Sequence, residues 1–147
     1  MSWDFIRSPS ILSLPVVKAF MEAVVEKAKE DGYVETLTGR RRVLRDINSS
    51  NGNVRSMAER MAINTPIQGT AADMIKLAMT RVDAALRERG GEARMLLQVH
   101  DELLLEVPEG EVDEVRELVV EGMRGALELK VPVVVDTGVG RDWLEAH

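Results

Sequence analysis

Apolar residues recur at helical spacing in four stretches of the chain, at 15–32, 54–63, 67–86 and 112–126. The first stretch begins at Pro15, whose missing N–H costs nothing in a first helical turn, and Gly32 supplies its stop signal. The last stretch carries acidic residues in its first turn, where the helix dipole favours them. The spacing therefore predicts four amphipathic helices.

Shorter apolar or alternating runs predict strands at 33–37, 40–44, 93–99, 103–107 and 133–139. Thr38-Gly39 is a turn signal between the first two runs, and Gly138 and Gly140 mark the end of the last. Helices followed by a hairpin, a further helix and a strand are typical of an α+β fold with an antiparallel sheet.

Composition narrows the possible function classes. The 147 residues suit one domain with a sizeable core, and the absence of Cys excludes a disulfide framework, a thiolate zinc site and a cysteine nucleophile. Two histidines, His100 and His147, are too few for a histidine metal cage. No apolar run approaches the roughly 18 residues of a membrane span, and the first residues lack the pattern of a secretory leader. We therefore expect a cytoplasmic protein with no membrane partner.

The charges are distributed unevenly, although their sum is −6. Residues 40–62 contain six arginines and two acids, and the cluster Arg40, Arg41 and Arg42 could clamp phosphate or could be a solvated loop. Residues 100–117 contain eight acids and one arginine. One segment can thus hold phosphates and the other can hold cations.

The segment 96–105 predicts a hairpin with an unusual tip, because two apolar runs are joined by His100-Asp101-Glu102 without glycine. A two-residue hairpin turn usually requires a positive φ, which His and Asp do not adopt freely. A tip Asp can bind Mg²⁺ with one or two oxygens, with water and phosphate completing the octahedron. If both residues are strand-like, adjacent Asp101 and Glu102 point to opposite faces, so they would not chelate one ion as equals. An ordinary polar turn between buried strands explains the same residues.

The segment Thr65-Pro66-Ile67-Gln68 has the form of a capping box after a helix break, with Thr65 as N-cap and Gln68 three residues later. A second interpretation takes Arg60, Asn64 and Gln68 together, because four-residue steps place them on one face if the helical path is only mildly disturbed. One cation and two amides suit a phosphate and the base-edge acceptors of the minor groove.

Four blocks of this sequence closely resemble the C-terminal part of bacterial family A DNA polymerases: YVETLTGRRR (33–42), ERMAINTPIQGTAAD (59–73), QVHDE (98–102) and GVGRDW (138–143). The resemblance covers about 15–143, in order and with plausible spacing. It implies a partial right-hand polymerase, with an irregular lead-in at 1–14 that does not match and a fingers/palm portion at 15–147. Residues 15–88 would be mainly helical, and 89–147 would form the palm sheet and its helix.

The resemblance also implies roles for named residues. Asp101 would bind catalytic Mg²⁺, Glu102 would be an accessory acid, and His100 would face the primer terminus. Arg60, Asn64 and Gln68 would contact the DNA template-primer near its growing end, and Arg40, Arg41 and Arg42 would lie close to DNA. The implied reaction is two-metal phosphoryl transfer from a dNTP to the primer 3′-hydroxyl.

Two blocks of that family are not found in these 147 residues: one resembling Asp-Tyr-Ser-Gln-Ile-Glu, which carries the second metal-binding Asp, and the fingers helix that holds the nucleotide. We therefore expect the chain alone to be inactive, and an upstream polymerase half to complement it. We also expect exposed apolar residues to favour self-association, around Leu96, Leu97, Leu103 and Leu105. A non-catalytic DNA-binding or interaction module is the alternative, and an enzyme using Asp101 and His100 as an acid/base pair ranks last.

Overall fold

The structure, a computed structural model, describes residues 14–146. The predicted lead-in at 1–14 thus lies outside the described residues, apart from Leu14. The chain divides into two compact units, one ending at Thr70 and the other beginning at Ala71. Each unit combines helices with a two-stranded antiparallel sheet, which confirms the α+β prediction.

The elements follow the chain as helix α1 (Pro15–Asp31), strands β1 (Tyr33–Glu35) and β2 (Arg41–Val43), helix α2 (Gly52–Asn64), a π turn (Thr65–Gly69), helix α3 (Thr70–Arg89), strands β3 (Arg94–Val99) and β4 (Glu102–Glu106), a 3-10 turn (Glu109–Glu111), and helices α4 (Val112–Arg124) and α5 (Trp143–Ala146). Among the described residues, none of these helices has the length and apolar character that crossing a membrane requires.

The first unit packs α1, the β1–β2 hairpin and α2 around one apolar cluster. Gly32 ends α1 at a φ of 75°, with its N–H bonded to the Ala28 carbonyl, so the glycine stop is confirmed. The Asn51 side chain accepts bonds from two backbone N–H groups of the first turn of α2, which is why that helix begins before residue 54. The buried members of this cluster are Ala28, Val34, Leu44, Ile47, Ala58 and Ala62.

The second unit packs α3 and α4 against the β3–β4 hairpin. Its buried cluster joins Val82 and Leu86 of α3 to Val115 and Val119 of α4, and Met95 and Leu105 of the hairpin pack against it. The two helices approach closely at Gly122, because a Cβ there would lie 2.8 Å from Cγ2 of Val82. Of the apolar stripes predicted for these helices, Val82, Leu86, Val115 and Val119 therefore lie in the core, whereas Ile67 is exposed.

The predicted strand at 133–139 is wrong, because residues 132–140 have no strand structure. A strand is defined by the ladder of hydrogen bonds to a neighbour. In the described part of the second unit, β3 and β4 pair only with each other, so the apolar run lacks a partner strand. Two of its valines, Val134 and Val139, are exposed.

An ion-pair network joins the end of α3 to the start of α4. The Arg89 guanidinium is 2.6 Å from a Glu111 carboxylate oxygen and 2.8 Å from one of Glu114. The hydrogen bonds to Glu114 and Glu111 raise the pKa of Arg89, and the bond from Arg89 lowers the pKa of Glu114. The cation lies in the last turn of one helix and Glu114 in the first turn of the next, so both helix dipoles favour the arrangement.

This network predicts an acid-sensitive stability. Because the pKa of Glu114 is lower in the folded state, its contribution is fully present above the unfolded-state pKa and is lost as pH falls through the folded-state value. We expect Glu114→Gln to flatten the fall in urea-unfolding midpoint between about pH 5 and pH 3. Glu117→Gln, three residues later on α4, is the control and should retain the wild-type slope. Equal slopes for wild type and Glu114→Gln would contradict the prediction.

Candidate nucleic-acid interface and acidic hairpin tip

A π turn replaces the helix break predicted at residues 64–66. Thr65 has helical φ and ψ of −60° and −44°, and its hydroxyl donates to the Met61 carbonyl at 2.7 Å. The N-cap role predicted for Thr65 is therefore wrong, as is the capping box. Pro66 lacks the N–H that an α-helix would direct to the Ala62 carbonyl, and its ring crowds that carbonyl. The wider turn accommodates the proline, and the helical path continues into α3.

The π turn affects how the predicted DNA-contacting side chains align. In an α-helix, a step of four residues rotates a side chain slightly more than one full turn about the helix axis. In a turn with i→i+5 bonding, the same step rotates it slightly less than one full turn. The step from Arg60 to Asn64 follows α2, and the step from Asn64 to Gln68 follows the wider turn, so the two rotations oppose each other instead of accumulating. All three side chains are exposed. The helical path is therefore only mildly disturbed, which is the condition that the shared-face interpretation of these residues required.

The loop between β1 and β2 docks onto the π turn. The Leu37 N–H donates to the Thr70 hydroxyl oxygen at 3.0 Å, and the Arg40 guanidinium donates to the Gly69 carbonyl at 3.2 Å. The approach is close at Gly69, where a Cβ would lie 2.6 Å from Cγ2 of Thr36. Arg40 is therefore brought beside the segment that carries Gln68, although the two residues are 28 positions apart in sequence.

The three consecutive arginines do not form one patch. Arg42 contacts the sulfur of Met61 on α2 at 3.3 Å. Arg41 belongs to the opposite face of the hairpin, where it binds the Glu35 carboxylate at 2.7 Å and lies 4.5 Å from the ring centroid of Tyr33. The hydrogen bond to Glu35, followed by the charge of Tyr33, raises the pKa of Arg41. Strand alternation accounts for this division, because neighbouring residues of β2 face opposite sides.

The acidic hairpin is confirmed with its two-residue tip. Val99 pairs with Glu102, so His100 and Asp101 form the turn, and His100 has a φ of 54°. It is the only residue other than glycine with positive φ in the described chain. The Gln98 side-chain amide donates to the His100 carbonyl and so ties the tip to β3. The strained conformation is therefore held by the hairpin that carries it.

Asp101 is exposed at this tip, and Glu102 lies on the hairpin face opposite the one on which Leu105 packs against the core. Among residues 14–146, no three His, Asp or Glu side chains lie together so as to hold a metal ion. Magnesium commonly takes one or two protein carboxylates and completes its shell with water and phosphate. The described residues thus fit one contribution to a magnesium site and do not form a complete two-metal site.

The apolar surface predicted on this hairpin is smaller than expected. Leu96 and Leu97 are 50% and 58% exposed, whereas Leu103 is half-buried and Leu105 packs against the core. The pairing register explains the difference, since Leu103 and Leu105 share the core face and Leu97 pairs with Leu104 on the other. Self-association through Leu96 and Leu97 stays a prediction.

No sequence pattern linked Thr36, Gly69 and Thr70 to one another. All three lie where the β1–β2 loop meets the π turn, and both threonines are buried. The available signal was a pair of blocks that contain threonine and glycine, Thr-Leu-Thr-Gly and Gly-Thr-Ala-Ala, about 30 positions apart. Sequence spacing does not reveal that such blocks meet.

Comparison with known proteins points to the same family that the four sequence blocks resemble. The family model for DNA polymerase family A matches residues 11–145. The chain is 55% identical over 134 residues to a DNA polymerase I of Bacillus caldotenax, and 54% identical over 134 residues to a thermostable DNA polymerase I of Thermus thermophilus. Each alignment covers 91% of this chain, but the chain spans only 15% and 16% of the length of these two relatives.

A solved structure with the same fold is the polymerase domain of Pol1 from M. smegmatis in complex with DNA primer-template and dNTP. It superimposes with a TM-score of 0.86 at 52% sequence identity, covering 88% of this chain and 23% of the other. The likeness therefore extends over both units described above.

Proposed function

Since the chain belongs to DNA polymerase family A, we propose that it forms part of a template-directed DNA polymerase that adds nucleotides to a primer. The observation that carries the proposal is the exposed Asp101 carboxylate at a two-residue hairpin tip whose first residue, His100, has a positive φ. In this proposal the antiparallel hairpin holds the exposed carboxylate so that phosphate and water can complete a magnesium shell around its ion.

In this proposal Asp101 supplies one metal-binding carboxylate. When bound, the metal ions would activate the primer 3′-hydroxyl and neutralise charge on the phosphates. Glu102 would act as an accessory acid, and His100 would face the primer terminus. The remaining carboxylate ligands would come from residues other than those described, because Asp101 and Glu102 alone do not complete the site.

The exposed surface of the first unit around Arg60 and Arg40 would hold the template-primer. Arg60, Asn64 and Gln68 are exposed along the α2–π-turn path, and Arg40 is held beside that path by Gly69. Amide groups can bond to the purine N3 and pyrimidine O2 acceptors present in every base pair, so contact would not depend on sequence. Arg41 would contribute least, because Glu35 already binds its guanidinium.

The partners of this polymerase would be a DNA template-primer and a dNTP, which is what the M. smegmatis Pol1 domain was solved with. Cytoplasmic location remains the expectation from sequence. These 147 residues include neither the block with the second Asp nor the nucleotide-holding helix, so we propose that the polypeptide by itself does not extend primers. An upstream polymerase half would restore the activity.

A chimera tests the proposed function. Residues 11–145 replace the matching segment of the Bacillus caldotenax DNA polymerase I, and primer extension is measured with Mg²⁺ and dNTPs. We expect the chimera to extend primers and the 147-residue polypeptide to show no extension. A folded chimera that binds primer-template without extending it would contradict the proposal and would favour a non-catalytic DNA-binding module. Extension by the isolated polypeptide would contradict its proposed inactivity.

A further inference from the structure

The contact between the β1–β2 loop and the π turn contains buried hydroxyl groups for which the proposed chemistry gives no role. Thr36 and Thr70 are 5% and 8% exposed, and the hydroxyl of each bonds to the loop. A third buried threonine, Thr65, donates only to the preceding helical turn among the bonds described above. All three residues carry a buried hydroxyl, but only the hydroxyls of Thr36 and Thr70 bond to the loop.

The Thr70 hydroxyl bridges two backbone segments. Its oxygen accepts the Leu37 N–H at 3.0 Å, and its proton is donated to the Pro66 carbonyl within the π turn. A hydroxyl can accept and donate at once, whereas an apolar side chain of the same shape can do neither. Thr70 therefore joins the loop to the turn, and the bond depends on the position that the π turn gives its hydroxyl.

Hydrogen bonds within the loop connect the anchored Leu37 to Arg40. The Gly39 N–H donates to the Thr36 carbonyl, which closes a four-residue turn with Leu37 at its second position. The Arg40 N–H donates to the Thr36 hydroxyl at 3.2 Å, and the Arg40 carbonyl accepts the Thr36 N–H at 3.0 Å. Fixing the Leu37 amide consequently fixes the backbone that carries the Arg40 guanidinium.

We infer that Thr70 is a positioning residue for DNA binding, which holds Arg40 against the Gly69 carbonyl so that its guanidinium meets a phosphate of the duplex. This inference rests on the proposed function. The bond to Gly69 orients the guanidinium, whose N–H donors form a rigid fork that matches the oxygens of a phosphate. An arginine ordered before binding loses less side-chain entropy when DNA arrives.

The test compares Thr70→Val with Thr65→Val in the full 147-residue chain, because each removes a buried hydroxyl, one at the first residue of the π turn and one directly after its last residue. Two quantities are measured: hydrogen exchange of the Leu37 amide without DNA, and duplex DNA binding as a function of salt. For Thr70→Val we expect faster Leu37 exchange, about tenfold weaker binding and a salt slope reduced by about one. Thr65→Val should leave all three unchanged, and Thr70→Ser should restore the wild-type values.

Two further variants keep the inference falsifiable if Thr70→Val does not fold. Leu37→Pro removes the N–H that bonds to Thr70 at an exposed site, and proline is favoured at the second position of such a turn. It should reproduce the loss of affinity. Arg40→Ala should cause the same loss, and the double variant Thr70→Val/Arg40→Ala should bind no more weakly than Arg40→Ala alone.

The outcomes separate this inference from the proposed function. If Arg60→Ala weakens binding while Thr70→Val and Leu37→Pro do not, the positioning role is overturned and the DNA interface stands. The role is also overturned if the losses of Thr70→Val and Arg40→Ala add, or if Leu37 exchange is unaffected by Thr70→Val. If the wild-type chain binds no duplex even at low salt, the proposed DNA contact of this unit fails, and the inference fails with it.

Discussion

Asp101→Asn is expected to reduce primer extension by the chimera at least about a thousandfold, since metal stabilisation of transition-state charge contributes several kcal/mol. The substitution keeps the shape of the side chain and removes the negative charge that attracts Mg²⁺. Asn is also well tolerated in tight turns, so the hairpin tip should remain intact. Single-turnover extension at saturating Mg²⁺ and dNTP measures the effect, and an unchanged melting temperature confirms the fold.

Two variants on the same strand serve as comparisons. Glu106→Gln removes an exposed acid at the far end of β4, so it should extend primers at the rate of the parent chimera. Glu102→Gln should show a smaller loss than Asp101→Asn, because its proposed role is accessory. A loss of less than tenfold for Asp101→Asn, or an equal loss for Glu106→Gln, would remove the assignment of Asp101 as a metal-binding carboxylate.

Gly69→Ala is expected to lower the free energy of unfolding of the 147-residue chain by about 1–3 kcal/mol, the usual cost of inserting a group into a packed site. The new Cβ would lie 2.6 Å from Cγ2 of Thr36 and 3.4 Å from a guanidinium nitrogen of Arg40. Thr36 cannot rotate away without losing the bonds of its hydroxyl to Thr38 and to the Arg40 N–H. Urea unfolding measures the change.

Gly52→Ala is the matched control for this prediction, because Gly52 is also helical and a Cβ there meets only the end of the Arg55 side chain at 3.9 Å. It should leave stability unchanged or raise it slightly, since alanine restricts the unfolded chain. Thr36→Ser removes the clashing Cγ2 and keeps the hydroxyl. The double variant Gly69→Ala/Thr36→Ser should therefore recover most of the loss. If the effects of Gly69→Ala and Thr36→Ser on stability simply add, the loss does not arise from the contact between the new Cβ and Cγ2 of Thr36.

Sequence patterns predicted the local elements well where short-range chemistry decides them. Pro15 and Gly32 bound α1 because a proline start and a glycine in the left-handed region are properties of the residues themselves. The α4 stripe was visible because burial on one face imposes helical spacing. The tip at His100 and Asp101 followed from two apolar runs joined by His100-Asp101-Glu102.

The errors lie where a distant partner decides the outcome. The helix continues through Pro66 because a π turn absorbs the missing N–H, and the docked β1–β2 loop contacts that turn. The apolar run at 133–139 reads as a strand, yet a strand requires a neighbour with which to share hydrogen bonds. The division of the arginines, with Arg41 bound to Glu35 and Arg40 to Gly69, depends on which face of the hairpin each residue occupies.

By itself the sequence determined the helices, the acidic hairpin and the family, because periodicity, turn chemistry and motif order are properties of neighbouring residues. Only the tertiary structure decided that Thr36, Gly69 and Thr70 form one contact and that this contact holds Arg40. The physical reason is that a hydrogen bond between segments about 30 residues apart depends on how both segments pack, which no local pattern encodes.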